Sequence, residues 1–395
     1  MAAYVSKAGA IAVQGQRFPP LKLDHLMRLT DSTGIIQHST YGLPNLASGY
    51  TTDDNARALG FVLRLLISDA VPLSEVEIDG AAGPEFVDRV RSALLQLAER
   101  YMSFLVYVQK PDGGFHNFVD YTRAFADEDG SEDSFGRAML ACAQAMTQDV
   151  HQGVRMAARE TWNRAVRRVA GVRSPRARAH LILAFTHFLT RGLRTGSELG
   201  DETSGYLESL SKHARALLHQ YRSVATRDWR WFEDYLTYSN GVMPEALFWA
   251  YQCTGVQEYL DVAIESLHFL TKINFRQGRL KLVGNHGWYF KGGDVGQFDE
   301  QPVDASHMVD VYAIAYRVTG EGKYRSLMMK AFEWFYGKNA LGVSLYNPET
   351  GGCHDGLTPD GPNLNQGAES LLCYLSSYLT VCEVLRERKA AEKSA

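Results

Sequence analysis

TTDDNARALGFVLRLL, residues 51–66, opens on hydroxyls and acids and then runs apolar around every side of a helix. A helix that is hydrophobic all round is buried on both flanks. Five further segments repeat the form: SEDSFGRAMLACAQAM from Ser131, SPRARAHLILAFTHFL from Ser174, YSNGVMPEALFWAYQ from Tyr238, QPVDASHMVDVYAIAYRVTG from Gln301 and NQGAESLLCYLSSYLTV from Asn365. Between them lie amphipathic stretches with one charged face, near residues 21–30, 85–108, 152–169, 203–224, 257–273 and 323–338. The alternation predicts an all-α fold, an (α/α)6 barrel of six inner and six outer helices. The inner N-termini would gather carboxylates around one mouth. Asn240, Asp304 and Gly367 recur at spacings of 64 and 63 residues, enough for two helices and their loops. Ser174-Pro175, Pro244 and Pro302 mark helix starts.

The chain has 395 residues, 45% of them hydrophobic and 22% charged, with a net charge of −4. That leaves no basic footprint for nucleic acid. No apolar run is long enough to span a bilayer, and residues 1–18 lack the apolar core of a secretory signal. Five scattered cysteines without a CxxC spacing point to free thiols in a reducing compartment, so a cytoplasmic location is expected. Residues 1–19 read as an N-terminal arm, 20–386 as one catalytic barrel and 387–395 as a frayed tail.

Three long connections interrupt the helices: QKPDGGFHNFVDYTRAF from Gln109, FRQGRLKLVGNHGWYFKGGDVGQFDE from Phe275 and NPETGGCHDGLTPDGPNLNQG from Asn347. Connections of this length in a compact domain tend to be functional. They are expected to carry short β-hairpins at the mouth.

The strings GIIQHSTYGLPNLASGYTTDDNARAL, WFEDYLTYSNGVMPEAL, VGNHGWYFKGG, FDEQPVDASHMVDV, TGGCHDGL and NQGAESLLCYL run in order from residue 34 to about 375. Through them the chain resembles the six-hairpin glycosidase superfamily. More narrowly, it is similar to a bacterial group described as glycosidase-like or glycosyltransferase-associated. The resemblance implies an (α/α)6 toroid acting on an oligosaccharide or glycoconjugate, with a glycosyltransferase as a candidate partner. The superfamily holds hydrolases, phosphorylases, lyases and epimerases, so the fold does not choose the reaction. The group reads LTYDNA where this chain has Leu236-Thr237-Tyr238-Ser239-Asn240-Gly241.

Glycoside cleavage needs an acid for the leaving oxygen and a second carboxylate, about 6.5–9.5 Å away for inversion and about 5–5.5 Å for retention. Glu233 stands in RDWRWFEDYLTY among Trp229, Trp231 and Tyr235, a setting that would desolvate it and make it the acid, with Asp234 as the neighbouring choice. Asp304 is the expected base, giving an inverting hydrolase. His307 lies three residues on and shares its helix face. Asp53 and Asp54 serve as cap and first-turn acid, and one of them is surplus and free for ligand. Side chains of neighbours on a helix fan about 100° apart, which argues against their being the catalytic pair. Asp133 repeats this arrangement. Trp229, Trp231, Tyr238 and Trp288 offer flat faces for sugar rings. His116, Asn285, His286, Asp355, Gln366 and Glu369 suit hydroxyl recognition. No HExxH, phosphate loop or GxSxG motif is present, so a reaction without metal or cofactor is expected. Two rivals remain. An epimerase or isomerase would need a second imidazole to face His307, and a non-catalytic glycan binder would need only the mouth.

Overall fold

The computed structural model describes residues 3–5, 11–13, 16–79, 85–192 and 203–394, with no account of side chains before residue 18, at 191–192 or beyond 388. Twelve α-helices follow in chain order: α1 Asp24–Leu29, α2 Thr52–Ile67, α3 Phe86–Val108, α4 Glu132–Met146, α5 Gln152–Ala165, α6 Pro175–His187, α7 Thr203–Val224, α8 Val242–Thr254, α9 Gln257–Asn274, α10 Pro302–Thr319, α11 Gly322–Glu333 and α12 Ala368–Ser394. The even-numbered helices form the inner ring. Each packs on the next, and α12 returns to α2 to close it. The odd-numbered helices back them as α2–α3, α4–α5, α6–α7, α8–α9 and α10–α11 hairpins, with the short α1 against α12.

The two classes form for the reasons legible in their sequences. In α2 nearly every residue from Ala56 to Leu66 is buried, because partners lie on both sides. In α3 burial recurs at Val90, Leu94, Leu97, Ala98, Tyr101, Leu105 and Val108, a single stripe. At the α4–α6 crossing, a Cβ on Gly136 would stand 3.0 Å from the Ala177 carbonyl, so the helices meet there through backbone. Side-chain oxygens of Thr51, Ser131 and Ser174 accept from the third backbone N–H onward and start α2, α4 and α6. Left-handed Gly255 and Gly320 end α8 and α10.

Two departures from the expected boundaries stand out. The first outer helix is only Asp24–Leu29, and the last inner helix continues to Ser394, through the segment read as a frayed tail. The N-terminal arm holds a three-stranded antiparallel sheet of Ala3–Val5, Ile11–Val13 and Gln16–Arg17. Antiparallel ladders of two or three residues brace the mouth loops, pairing Tyr50–Thr51 with Phe118–Val119, Tyr235–Leu236 with Tyr289–Phe290, and Gly356–Thr358 with Gly361–Asn363. All five cysteines are unpaired. Among the described residues no helix is long and apolar enough to cross a membrane.

Candidate functional site

A cavity of about 700 Å³ opens over the N-termini of the inner helices. The start of α2 gives it Asp53 and Asp54, the loop before α4 gives Asn117, the loop before α10 gives Asn285, Asp299 and Gln301, and the loop before α12 gives Asp355, Asn363 and Asn365. Glu369 joins them from the first turn of α12. The lining is mostly amides, hydroxyls and carboxylates, joined by His38 and Phe118, with no lysine or arginine on it.

Both aspartates reach this one cavity in spite of the fan between neighbours. Asp54 folds back to its own helix start: the Thr51 hydroxyl donates to Asp54 Oδ2 at 2.7 Å, and the Asp54 N–H donates to Thr51 Oγ1 at 3.0 Å. Asp53 instead turns to two guanidiniums, Arg57 Nε at 3.0 Å and Arg137 Nε at 2.7 Å. Their protonation diverges accordingly. Burial, and then the charge of Asp53, push the Asp54 carboxyl up to about 8 against the Thr51 hydrogen bond. Burial also acts to raise Asp53, but Arg137 and Arg57 outweigh it and hold its carboxyl below the usual range. Near neutral pH the site therefore presents one protonated carboxyl beside one carboxylate.

The aromatic segment before α8 is built differently from its sequence reading. Trp229 and Trp231 are 4% and 0% exposed and pack on Phe269, so they are core and offer no face to a sugar. The two Glu233 oxygens face Arg176 Nη1 at 2.9 and 3.3 Å, a buried ion pair where a proton donor was expected. Arg176 also donates to the carbonyl of Tyr238 and to Thr237, fastening α6 to the loop before α8. Asp234 points outward and pairs with Lys291. Asp133 accepts from Ser174 and from Tyr238, whose ring lies under the Arg176 guanidinium. None of the six expected site residues among these, Asp133, Trp229, Trp231, Glu233, Asp234 and Tyr238, lines the mouth cavity.

The other candidates divide. Asn285, Asp355 and Glu369 line the cavity, whereas His116 stacks on Phe125 with its Nδ1 at the Asp127 carbonyl. His286 is exposed and Trp288 packs against the core from outside the lining. Gln366 is structural: its side chain accepts from Thr350, and its carbonyl meets His25 Nε2 at 2.7 Å. Asp304 lies outside the cavity lining, 6% exposed, with Oδ1 at 3.4 Å from the Asn240 N–H and Oδ2 unbonded. Burial lifts its carboxyl to about 7, against the Asn240 backbone bond and Arg176.

A second cavity of about 600 Å³ occupies the lumen further along the inner helices. Arg57, Arg137, His180, His307 and Cys373 line it, and each is the sixth residue of its helix, in α2, α4, α6, α10 and α12. The sequence reading named only His307. The missed signal was a polar or sulfur-bearing residue at equal depth in five of six apolar helices, visible once the helix starts are aligned. Burial keeps both imidazoles neutral, well below their ordinary range, and nearby arginines add to this. Their ring centroids are 6.4 Å apart. Neither His307 nitrogen is hydrogen-bonded, and His180 has at most a loose contact to the Arg176 backbone one turn back.

Glu369 shares Arg57 with Asp53, at 2.9 Å, so the first and last inner helices are tied through one guanidinium across the ring seam. Solved structures of the same architecture cover almost the whole chain. The fold is that of the six-hairpin glycosidases. Cellobiose 2-epimerase from Bacillus thermoamylovorans superposes with a TM-score of 0.63 at 13% identity, covering 92% of this chain and 95% of that one. A D-mannose isomerase gives 0.64 at 12% identity, covering 92% and 96%. An α-1,6-mannanase of Salegentibacter gives 0.54 at 14% identity, covering 91% and 96%. That six-hairpin structure is of an inactive variant with two consecutive aspartates replaced by alanine, in complex with an α-1,6-linked mannotetraose. No model of a protein family matches the chain, and no curated protein is similar to it in sequence.

Proposed function

We propose that the protein is a glycoside hydrolase acting on a neutral oligosaccharide or glycoconjugate, with Asp54 as the general acid and Asp53 as its carboxylate partner. The observation that carries this reading is the pair of consecutive aspartates in one polar cavity, one driven protonated and the other held ionised. Environments that push two carboxyls apart in this way assign the acid and the base or nucleophile. A lining of amides and acids without a cation favours uncharged sugars over uronates or phosphosugars. The inactive mannanase variant, altered at two consecutive aspartates, supports the same pairing and makes α-mannosides the first substrates to try. Asp53 takes the place of Asp304 as the proposed partner because Asp304 lies outside the lining of the mouth cavity. Turnover of an aryl-glycoside and mannooligosaccharide panel should fall about 10²–10⁴-fold in Asp54→Asn. Proton NMR of the first-formed anomer reads whether the reaction retains or inverts. Wild type that binds a sugar and leaves it intact for days would make the protein a glycan binder, and turnover only with phosphate would make it a phosphorylase.

A second reading, a sugar epimerase or isomerase, draws on His180 and His307. The sequence offered no second imidazole on the sixth inner helix, but the third supplies one. Two neutral imidazoles among arginines suit proton removal beside a carbonyl. Deuterium wash-in from heavy water into free mannose, glucose or cellobiose would select this reading over hydrolysis.

A further inference from the structure

His307 and Asp310 stand three residues apart on one face of α10, and Glu245 projects from the neighbouring α8. One ligand atom from each of the three lies within 4.8 Å of the others. From these contacts we infer a binding site for one divalent transition-metal cation, held by Glu245, His307 and Asp310 on the wall of the inner cavity, away from the mouth aspartates.

The imidazole supports this independently of the acids. His307 is 8% exposed, neither of its nitrogens is hydrogen-bonded, and its Nδ1 faces Glu245 Oε2 at 4.0 Å. That gap is too long for a hydrogen bond, and an ion bound to both at about 2.0–2.2 Å would draw the two groups closer together. A buried imidazole facing a carboxylate without touching it has no partner of its own, and an ion between the two supplies one. Glu245 and Asp310 repel one another at this spot. Arg64 and Arg317 act on both acids by charge alone, and their own hydrogen bonds go elsewhere, from Arg64 to Glu383 at 2.9 Å and Thr380 at 3.0 Å and from Arg317 to Glu387 at 2.8 Å.

An outer layer is also present. The Thr380 hydroxyl donates to Asp310 Oδ1 at 2.8 Å, and Trp249 bonds the Glu245 carboxyl, so both ligands are oriented from behind. Helix bundles build metal sites from this same geometry, a pair at i and i+3 with a carboxylate from the next helix. One imidazole with two carboxylates suits manganese, iron, cobalt or zinc better than calcium or magnesium. The 600 Å³ cavity beside the three residues leaves room for water on the remaining positions.

The test uses the full chain, stripped with a chelator and titrated by calorimetry with Zn²⁺ alone and with Mn²⁺ alone. One equivalent should bind. Because orienting partners alone are worth about 10–100-fold in metal affinity, Glu245→Gln and Asp310→Asn should each weaken binding beyond that. Asp54→Asn, at the mouth, should leave metal affinity unchanged, which separates this site from the hydrolase reading. Loading wild type with Co²⁺ should give the visible bands of a low-symmetry, protein-bound ion rather than those of the hydrated one, a readout that stands if a variant fails to fold. No saturable equivalent, a hydrated-type Co²⁺ spectrum, or equal affinity in folded Glu245→Gln and Asp310→Asn would overturn the site.

Discussion

Asp53 and Asp54 differ by one position and occupy opposite electrostatic settings, so the pH dependence of the protein should report on them. Turnover should fall on the alkaline side as Asp54 loses its proton near pH 8, and on the acid side as Asp53 gains one below the ordinary carboxylate range. A pH–rate profile checks both limbs; Asp53→Asn should remove the acid limb along with most of the rate. Asp304 yields a stability prediction. Its carboxyl titrates at about 7 folded against 3.8 as a reference, so the folded chain holds the extra proton between those values. Its stabilising contribution is complete below pH about 3.8 and is lost as pH rises through about 7. Melting temperatures of Asp304→Asn and wild type should therefore diverge in favour of the variant between pH about 4 and 7. Equal slopes would rule out a buried proton on Asp304.

The entry to α8 illustrates how an element is fixed by a residue that is not there. A Cβ on Gly241 would lie 2.6 Å from the His307 carbonyl oxygen, so α8 approaches α10 through backbone alone. Two residues earlier, Ser239 sits buried at φ 50° beside Arg137. Ser239 and Gly241 flank Asn240 in the turn that leads into α8, and Gly241 is where that turn meets α10. Gly241→Ala should overpack this contact and cost about 1–3 kcal/mol, read as a lower Tm. At the start of α2, Thr51→Ala removes a cap worth about 1 kcal/mol. It also removes the hydroxyl that folds Asp54 back to the mouth, so kcat should fall further than stability does.

Across the whole molecule, ion pairs tie the ring together, a partly exposed one at the seam and a buried one at the entry to α8. Arg57 joins α2 to α12, and Arg176 joins α6 to the segment leading into α8. Removing one partner of such a buried pair strands the other charge, at a cost of about 3–5 kcal/mol. Arg176→Met should lower Tm strongly. Glu233→Gln should also lower Tm while the protein that remains folded keeps turning over, the reverse of what an acid catalyst at Glu233 requires. Full stability with lost turnover in Glu233→Gln would restore Glu233 as the acid.

The sequence by itself determined the ring. All-round apolar helices alternating with striped ones are satisfied by two concentric layers, the buried class inside and the striped class around it, and caps such as Thr51, Ser131 and Ser174 mark the helix starts. It also placed acids at one mouth, since helix N-termini attract them. It did not decide which acids meet. RDWRWFEDYLTY reads as a carboxyl among aromatics, but an arginine 57 residues earlier in the chain takes that carboxyl, and the tryptophans turn into the core. Nor did it show that Arg57, Arg137, His180, His307 and Cys373 share one layer, because each belongs to a different helix and no local spacing links them. Proton affinities depend on which charges lie within a few ångströms and on how far water is excluded. Both are properties of the closed ring, and only the tertiary structure decided them.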